Sequence, residues 1–378
     1  MNKGIGMKVL TKQDVHDILL GAAILGTGGG GSLEEGLEIV DKAFAEGFEF
    51  KLADLDDLNG DDLVGTPYSC GTVSPLSEAQ QIEFDKLPQS KETAEVTAIR
   101  IVEKYFGKKL KGVVATELGG LNTALALDAG ARLNIPTVDA DPAGRSVPYI
   151  QQTTYYINDI PIHPMGLANT FGDSMIVTNV ISDERAEALT RAIAVASFNE
   201  VGVVDHIGQW KEIRAALIPN TISLCLRYGQ IARQSQKENK NLATTLVKEF
   251  NGYFLFKGIV SGATWEDRDG FTYGDLLVDG RDEFEGDTFK IWIQNENIIS
   301  WKNDEIFVTV PDSINIIDNT KNMPLLNPDA RVGDSISIFA LKSFAQWRTE
   351  KGMAVFGPKF FGYDIEYRPI EDFLDSSD

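Results

Sequence analysis

Three acidic residues stand where short apolar runs of the chain end, in a pattern that suits acid–base or metal chemistry. Glu117 follows GVVAT, and Asp139 and Asp141 come at the end of NIPTVDAD. The carboxyl ends of neighbouring parallel strands meet at one edge of a sheet, where ligands bind. Carboxylates gathered there can hold a divalent cation or transfer protons. We therefore predict Glu117, Asp139 and Asp141 as catalytic; the alternative is that the aspartates cap a loop and Glu117 is a solvated turn residue.

A run of glycines, GTGGGG at residues 26–31, precedes a helical pattern. Bare backbone N–H groups at a helix N-terminus attract anionic or carbonyl oxygens, so Gly28, Gly29, Gly30 and Gly31 are predicted to bind substrate. The alternative is that they only permit close packing and a sharp turn. The run also satisfies G-x-G-x-x-G, but a dinucleotide site needs a strand before it, and the preceding pattern is helical unless residues 18–25 form a strand. A nucleotide cofactor is not favoured.

Two polar residues near the acidic positions could also contact a ligand. Arg145, in PAGRS, could clamp a carboxylate or imide oxygen through two hydrogen bonds, or it could pair with a neighbouring aspartate. Asn122 could bind substrate, or it could cap the helix that follows TELGGLN. We predict both as substrate-binding residues and keep the structural alternatives open.

The three histidines carry weaker signals for metal binding or proton transfer. His163 lies between prolines in DIPIHPMG and could join Asp139 and Asp141 as a ligand of a divalent metal, with zinc as the first guess. His206 follows Asp205, but adjacent residues of a strand face opposite ways, which weakens the idea of a pair. His16 lies in a helical pattern and is interpreted as a surface or packing residue. No H-E-x-x-H motif is present.

The composition limits the class of protein. The 378 residues include 35 Lys and Arg against 56 Asp and Glu, a formal charge of −21, which argues against nucleic-acid and membrane-surface partners. Two cysteines cannot form a disulfide framework, which favours a reducing cytoplasm. Cys70 is a weak candidate nucleophile and Cys225 is predicted to lie in the core. No apolar run reaches the roughly 18 to 20 residues that span a bilayer. The predicted partner is a small-molecule substrate, with a homodimer as the default assembly.

The elements that must position these residues change character along the chain. Strand and helix patterns alternate in the first part, which predicts an α/β domain over residues 1–170 with a mostly parallel sheet and flanking helices. Residues 171–378 are predicted as a second domain: a helical section, then short alternating runs over about 250–345 that suggest a small β-barrel. The C-terminal tail is extended and could return to the first domain.

Four strings occur in a specific order along the chain: GTGGGGS, TELGGLN, VDADPAGR and GPKFFGYDIEY. In order and spacing they resemble the S-methyl-thiohydantoin desulfurase family, whose genes lie near hydantoinase and oxoprolinase genes. The resemblance covers nearly the whole chain, in two parts that divide near residue 170. It implies an α/β first domain, a barrel-containing second domain, and hydrolytic loss of a thiol from a five-membered thiohydantoin ring. The family's motif residues fall here on Gly28 to Gly31, Glu117, Gly119, Gly120, Asn122, Asp139, Asp141, Gly144 and Arg145.

One position departs from the family pattern. After G-R-x-x-P the family typically has an acidic residue, and this chain has Tyr149. The change questions whether this member keeps the same substrate or activity.

The implied reaction suggests roles for the predicted residues. Water attacks the ring carbon that bears the S-methyl group, and Glu117 or Asp139 takes the proton. A metal on Asp139, Asp141 and His163 would activate that water, and the glycine loop or Arg145 would stabilise negative charge. The alternatives are a nucleotide- or anion-binding protein without turnover, and a non-catalytic subunit of a hydantoinase- or oxoprolinase-type system.

Overall fold

The computed structural model describes residues 7–71, 76–268 and 270–374. It contains twelve α-helices: Lys12–Leu25 (α1), Leu33–Ala45 (α2), Glu78–Phe84 (α3), Ala94–Phe106 (α4), Gly120–Leu133 (α5), Thr154–Ile157 (α6), Asp183–Ala196 (α7), Trp210–Ile213 (α8), Thr221–Lys237 (α9), Leu242–Phe250 (α10), Glu350–Phe356 (α11) and Glu371–Leu374 (α12) among the residues so described. Short 3₁₀ turns cover Arg214–Ala216, Asp282–Phe284, Ala345–Arg348 and Pro358–Phe361.

The same residues contain eighteen strands: Lys8–Leu10 (β1), Phe50–Ala53 (β2), Leu63–Gly71 (β3), Leu110–Val113 (β4), Thr137–Val138 (β5), Ala140–Asp141 (β6), Met165–Ala168 (β7), Ser174–Val177 (β8), Glu200–Gln209 (β9), Ile218–Pro219 (β10), Tyr253–Arg268 (β11), Phe271–Gly280 (β12), Thr288–Gln294 (β13), Glu296–Lys302 (β14), Glu305–Thr309 (β15), Ser313–Asp318 (β16), Met323–Pro324 (β17) and Ser335–Leu341 (β18).

The first sheet has eight strands in the order β1-β2-β5-β4-β3-β9-β7-β8. The predicted α/β class with flanking helices is confirmed, but the prediction of a mostly parallel sheet is wrong. Only the central pairs β2-β5, β5-β4 and β4-β3 are parallel, and the remaining four pairs among the described strands are antiparallel. Strands connected by helices make the parallel part, and antiparallel pairs extend it at both edges of the sheet.

The second sheet is antiparallel throughout the described strands, in the order β15-β14-β13-β12-β11-β18-β16-β17. Its inward side chains form an aliphatic and aromatic core that includes Phe256, Ile291 and Ile338. The predicted small barrel is not confirmed. The prediction of many short strands over residues 250–345 holds, but periodicity alone does not determine whether their sheet closes.

The second half of the chain also contributes a strand to the first sheet and a helix that packs beside it. Strand β9 lies beside β3 in the first sheet, and helix α9 packs directly on α1. A Cβ atom at Gly21 of α1 would lie 1.9 Å from the backbone oxygen of Cys225 in α9, so the close approach of these helices requires glycine. Cys225 lies in this core, as the sequence predicts.

Side-chain caps mark the starts of the first two helices. Thr11 and Asp14 form a complete capping box at the start of α1. Ser32 caps α2 by accepting a hydrogen bond from the backbone N–H of Glu35. Because residues 18–25 belong to α1, the alternative that they form the strand of a dinucleotide fold is wrong. None of the helices in the described residues is both long and apolar enough to cross a membrane.

Candidate active site

A cleft of about 950 Å³ opens where the two sheets meet at the glycine loop, residues 26–31. The first sheet contributes Glu117 and the polar ends of β3 and β9, and the second contributes the start of β14. Gly28 to Gly31 and Asn122 also line it, as the sequence predicts for a ligand-facing surface. The cleft therefore brings part of the predicted set to one place.

Glu117 lies in the wall of this cleft, four residues after β4, with 7% of its surface exposed. Its carboxylate accepts hydrogen bonds from Asn122 Nδ2 at 2.7 Å and from the backbone N–H of Val147 at 2.9 Å. Burial raises the pKa of Glu117 to about 7, although these hydrogen bonds and the charge of Arg145 favour ionisation. Near neutral pH this carboxyl can both take up and release a proton.

Asn122 has a role that differs from helix capping. Helix α5 begins at Gly120, with Gly119 as its N-cap, and Asn122 lies in its first turn. The amide of Asn122 is oriented by its hydrogen bond to Glu117 and fixes that carboxylate at the cleft.

A second carboxyl, that of Glu296, lies against the glycine loop and was missed by the sequence analysis. Glu296 is 2% exposed, and its Oε2 atom has no hydrogen-bond partner among the described residues. Burial, with a contribution from the charge of Glu117, raises the pKa of Glu296 well above its usual value. Glu296 therefore holds its proton more tightly than an exposed carboxyl does. The available signal was the polar string QNEN, which interrupts the apolar alternation of KIWIQNENIIS.

Arg145 lies behind the glycine loop, outside the cleft, rather than in contact with the space for a ligand. Its guanidinium donates to Thr27 Oγ1 at 2.7 Å and to the backbone oxygens of Asp312 and Asn297 at 3.3 Å. Burial lowers the pKa of Arg145 to about 10, which leaves it charged at neutral pH. Its positive charge attracts Glu117 and Glu296 and helps to offset the buried negative charge.

The glycine loop lines the cleft and also joins the two halves of the molecule. The carbonyl of Gly28 accepts from the backbone N–H of Asn327, and that of Gly30 accepts from Leu121 and Asn122. A Cβ atom at Gly29 would lie 1.9 Å from Glu296 Oε1, and one at Gly30 would lie 2.4 Å from Gly119 Cα. The two alternatives for this run therefore coexist: close packing requires the glycines, and their backbone still faces the cleft.

Asp139 and Asp141 lie outside the cleft, away from the position that the sequence analysis gave them. Asp139 accepts from the backbone N–H of Ser223 at 2.8 Å and from its hydroxyl at 2.5 Å, which ties β5 to the first turn of α9. Asp141 accepts from the backbone N–H groups of Ala143 and Gly144 within the PAG turn. Burial raises the pKa of both, that of Asp141 to about 7. These contacts match the loop-cap alternative.

The predicted metal ligands are not gathered in one place. His163 precedes a cis proline in the connection to β7 and lies outside the cleft. Across residues 7–71, 76–268 and 270–374, no group of three or more His, Cys, Asp or Glu side chains is arranged to hold a metal ion. Asp139 accepts hydrogen bonds from protein donors with both of its carboxylate oxygens. Asp141 accepts two with one oxygen. Both oxygens of Asp139 and one oxygen of Asp141 are thus occupied by protein N–H or O–H donors, which does not fit a cation bound between them.

The Asp205–His206 pair forms after all, because β9 bulges at this point. Two residues, 206 and 207, stand opposite the single Gly65 of β3, and His206 has a φ of 42°. Alternation is interrupted, and His206 Nδ1 lies 2.8 Å from Asp205 Oδ1. Both residues line the cleft. The objection that adjacent strand residues face opposite ways does not apply at a bulge.

Two further residues from the sequence analysis line the same cleft. Burial raises the pKa of the Cys70 thiol to about 11, so it is protonated and a poor nucleophile at neutral pH. Tyr149 stands where the family resemblance leads us to expect an acid; its hydroxyl accepts from Gln294 Nε2 at 2.7 Å, and its ring centroid lies 4.5 Å from that of Phe271. The hydroxyl thus keeps a polar group at this position without a charge.

Comparisons with known proteins agree with this architecture. The fold is similar to that in an X-ray crystal structure of a protein from Chromobacterium violaceum, with a TM-score of 0.73 and 22% sequence identity; the match covers 96% of this chain and 100% of that one. This likeness shows the fold alone. No curated protein matches the sequence.

Two family profiles match adjacent segments that together span most of the chain. The S-Me-THD-like N-terminal domain matches residues 13–179, and the S-Me-THD-like C-terminal domain matches residues 181–370. The cleft lies where these two segments meet, with Glu117 from the first and Glu296 from the second. The chain therefore belongs to the S-Me-THD-like family, the S-methyl-thiohydantoin desulfurase family that its four motifs resemble.

Proposed function

We propose that this protein hydrolyses an S-methyl-thiohydantoin to a hydantoin and methanethiol. The observation that carries the proposal is the buried pair of carboxyls, Glu117 and Glu296, at the wall of one cleft. Burial raises the pKa of both, so that one can act as a base while the other acts as an acid. The family name is consistent with this desulfurase-like activity.

In this reaction the ring carbon that bears sulfur is attacked by water. Ionised Glu117 takes a proton from the water as the C–O bond forms, and the electrons of the ring C=N bond move to nitrogen. Protonated Glu296 supplies the proton to that nitrogen. When the C–S bond breaks, the new hydroxyl becomes the hydantoin carbonyl and its proton returns to Glu296. The electron pair of the C–S bond leaves with sulfur, which takes up a proton to become the thiol, while Glu117 gives the proton it took to the solvent; one water is consumed.

The residues around Glu117 and Glu296 suit the proton transfers at both carboxyls. Arg145 stabilises whichever carboxyl is ionised, while its own hydrogen bonds keep it behind the loop. The glycine loop presents backbone to the same space, and its N–H groups would bind a ring carbonyl oxygen. Asn122 holds Glu117 towards the cleft.

The test is a thiol-release assay with S-methyl-thiohydantoins, in which the wild type should release methanethiol and form hydantoin in equal amounts. Glu117→Gln should lower the turnover rate at least about 100-fold at unchanged folding. The matched control is Glu95→Gln in α4: Glu95 is also buried with its pKa raised to about 7, but it lies outside the cleft. Near-normal turnover in Glu117→Gln, or an equal loss in both variants, would contradict the assignment of Glu117.

A further inference from the structure

The departing sulfur must take up a proton to leave as a thiol. An alkylthiolate is a strong base, so a C–S bond breaks more readily when the sulfur is protonated as it leaves. In the scheme above, Glu117 serves the attacking water and Glu296 serves the ring nitrogen. A further proton donor in the cleft would complete the reaction.

His206 is buried in the cleft with one ring nitrogen unused. It is 2% exposed, and its Nε2 atom has no hydrogen-bond partner among the described residues. The other nitrogen, Nδ1, is held at 2.8 Å by Asp205, whose second oxygen accepts from Tyr68 at 2.8 Å. This chain of contacts fixes the imidazole and leaves Nε2 as its only reactive position.

Two carboxyl groups neighbour this imidazole. Asp205 contacts the ring directly, and the half-buried Asp183, at the start of α7, lies within electrostatic range of it. An imidazolium paired at Nδ1 with a carboxylate carries its transferable proton on Nε2.

Aromatic and thiol side chains line the cleft together with His206. The Tyr155 ring stacks on the imidazole with centroids 4.3 Å apart, and Tyr68 and the protonated Cys70 line the same cleft. Sulfur makes favourable contacts with aromatic rings, so this lining suits a methylthio group. The carboxyl pair is backed instead by the polar glycine loop, which suits the ring amide.

The strand order separates Glu117 and His206 across the first sheet. Strands β4 and β9 both pair with β3, so they run about 10 Å apart across the sheet. Glu117 follows β4 and His206 lies on β9, and both line the cleft.

We propose that His206, held by Asp205, protonates the sulfur as the C–S bond breaks; this assignment rests on the proposed function. The electron pair of the C–S bond goes to sulfur, which takes the Nε2 proton and leaves as the thiol. The imidazole regains a proton from water before the next turnover, while Glu117 returns the proton it took to water.

The test compares leaving groups of different basicity on the same ring, S-methyl and S-(4-nitrophenyl). A good leaving group needs no proton donor. His206→Gln should therefore lower kcat/KM about 100-fold for the S-methyl substrate and less than about 5-fold for the aryl one. Asp205→Asn should show the same selectivity with a smaller loss. The control, His16→Gln on α1, should leave both rates unchanged, because His16 lies outside the cleft beside Asp41.

The possible results separate the two proposals. An equal loss on both substrates, or no loss, overturns the role of His206 while thiol release by the wild type upholds the reaction. A wild type that releases thiol from neither substrate overturns both. If His206→Gln does not fold, the wild type alone decides: rates nearly independent of leaving-group basicity support assisted departure, and a steep dependence overturns it.

Discussion

Replacement of Glu117 by glutamine should make the protein more stable at high pH while it removes activity. Burial raises the folded-state pKa of Glu117 to about 7 from an ordinary value of 4.5. The folded state therefore binds this proton more tightly than the unfolded state does. The resulting contribution to stability is fully present below pH 4.5 and is lost as the pH rises through about 7.

The size of the effect follows from the difference between the two pKa values. At 1.36 kcal/mol per pKa unit, a rise from 4.5 to about 7 corresponds to about 3 kcal/mol. Glutamine does not ionise, so Glu117→Gln does not lose this contribution. Relative to the wild type, the free energy of unfolding of the variant should become larger by up to about 3 kcal/mol between pH 4.5 and pH 8, so that the variant gains stability.

Urea denaturation of both proteins at pH 4.5 and pH 8 measures this difference. Glu95→Gln should gain a similar amount, because burial raises the pKa of Glu95 to about 7 as well, but it should keep thiol-release activity. A stability difference between Glu117→Gln and the wild type that is the same at both pH values would refute the reasoning, because Glu117 would then not ionise near neutrality in the folded protein.

Three further predictions test the assignment of the site. The kcat/KM for thiol release should rise with pH through about 7 as Glu117 ionises, and Glu117→Asp should move that midpoint; a flat profile from pH 5 to 8 contradicts a carboxylate base. Asp139→Asn should lower the free energy of unfolding by about 1 to 2 kcal/mol through weakened contacts with Ser223, yet change kcat less than about twofold; a large loss of kcat at normal stability would return Asp139 to the catalytic set. Native protein at pH 7.5 should resist alkylation of Cys70 by iodoacetamide and react only after unfolding, as mass spectrometry of the peptide would show.

Local sequence determined most of the elements and one half of the carboxyl pair. Thr11 and Ser32 mark the starts of α1 and α2, because capping depends on residues within one turn. Glu117 was found because a short apolar run ends just before it. The same logic applied to Asp139 and Asp141 misplaced them, since a strand end can face either the cleft or a neighbouring helix.

Only the tertiary structure decided which residues share the cleft with Glu117. Glu296 comes from the other sheet and reaches the glycine loop only because the two halves pack closely there, which no local pattern encodes. The bulge that turns His206 towards Asp205 arises from the pairing of β9 with β3, two strands far apart in sequence. The raised pKa values have the same origin. A carboxyl's proton affinity depends on burial and on neighbouring charges, and both are properties of the packed molecule rather than of the residues beside it in the chain.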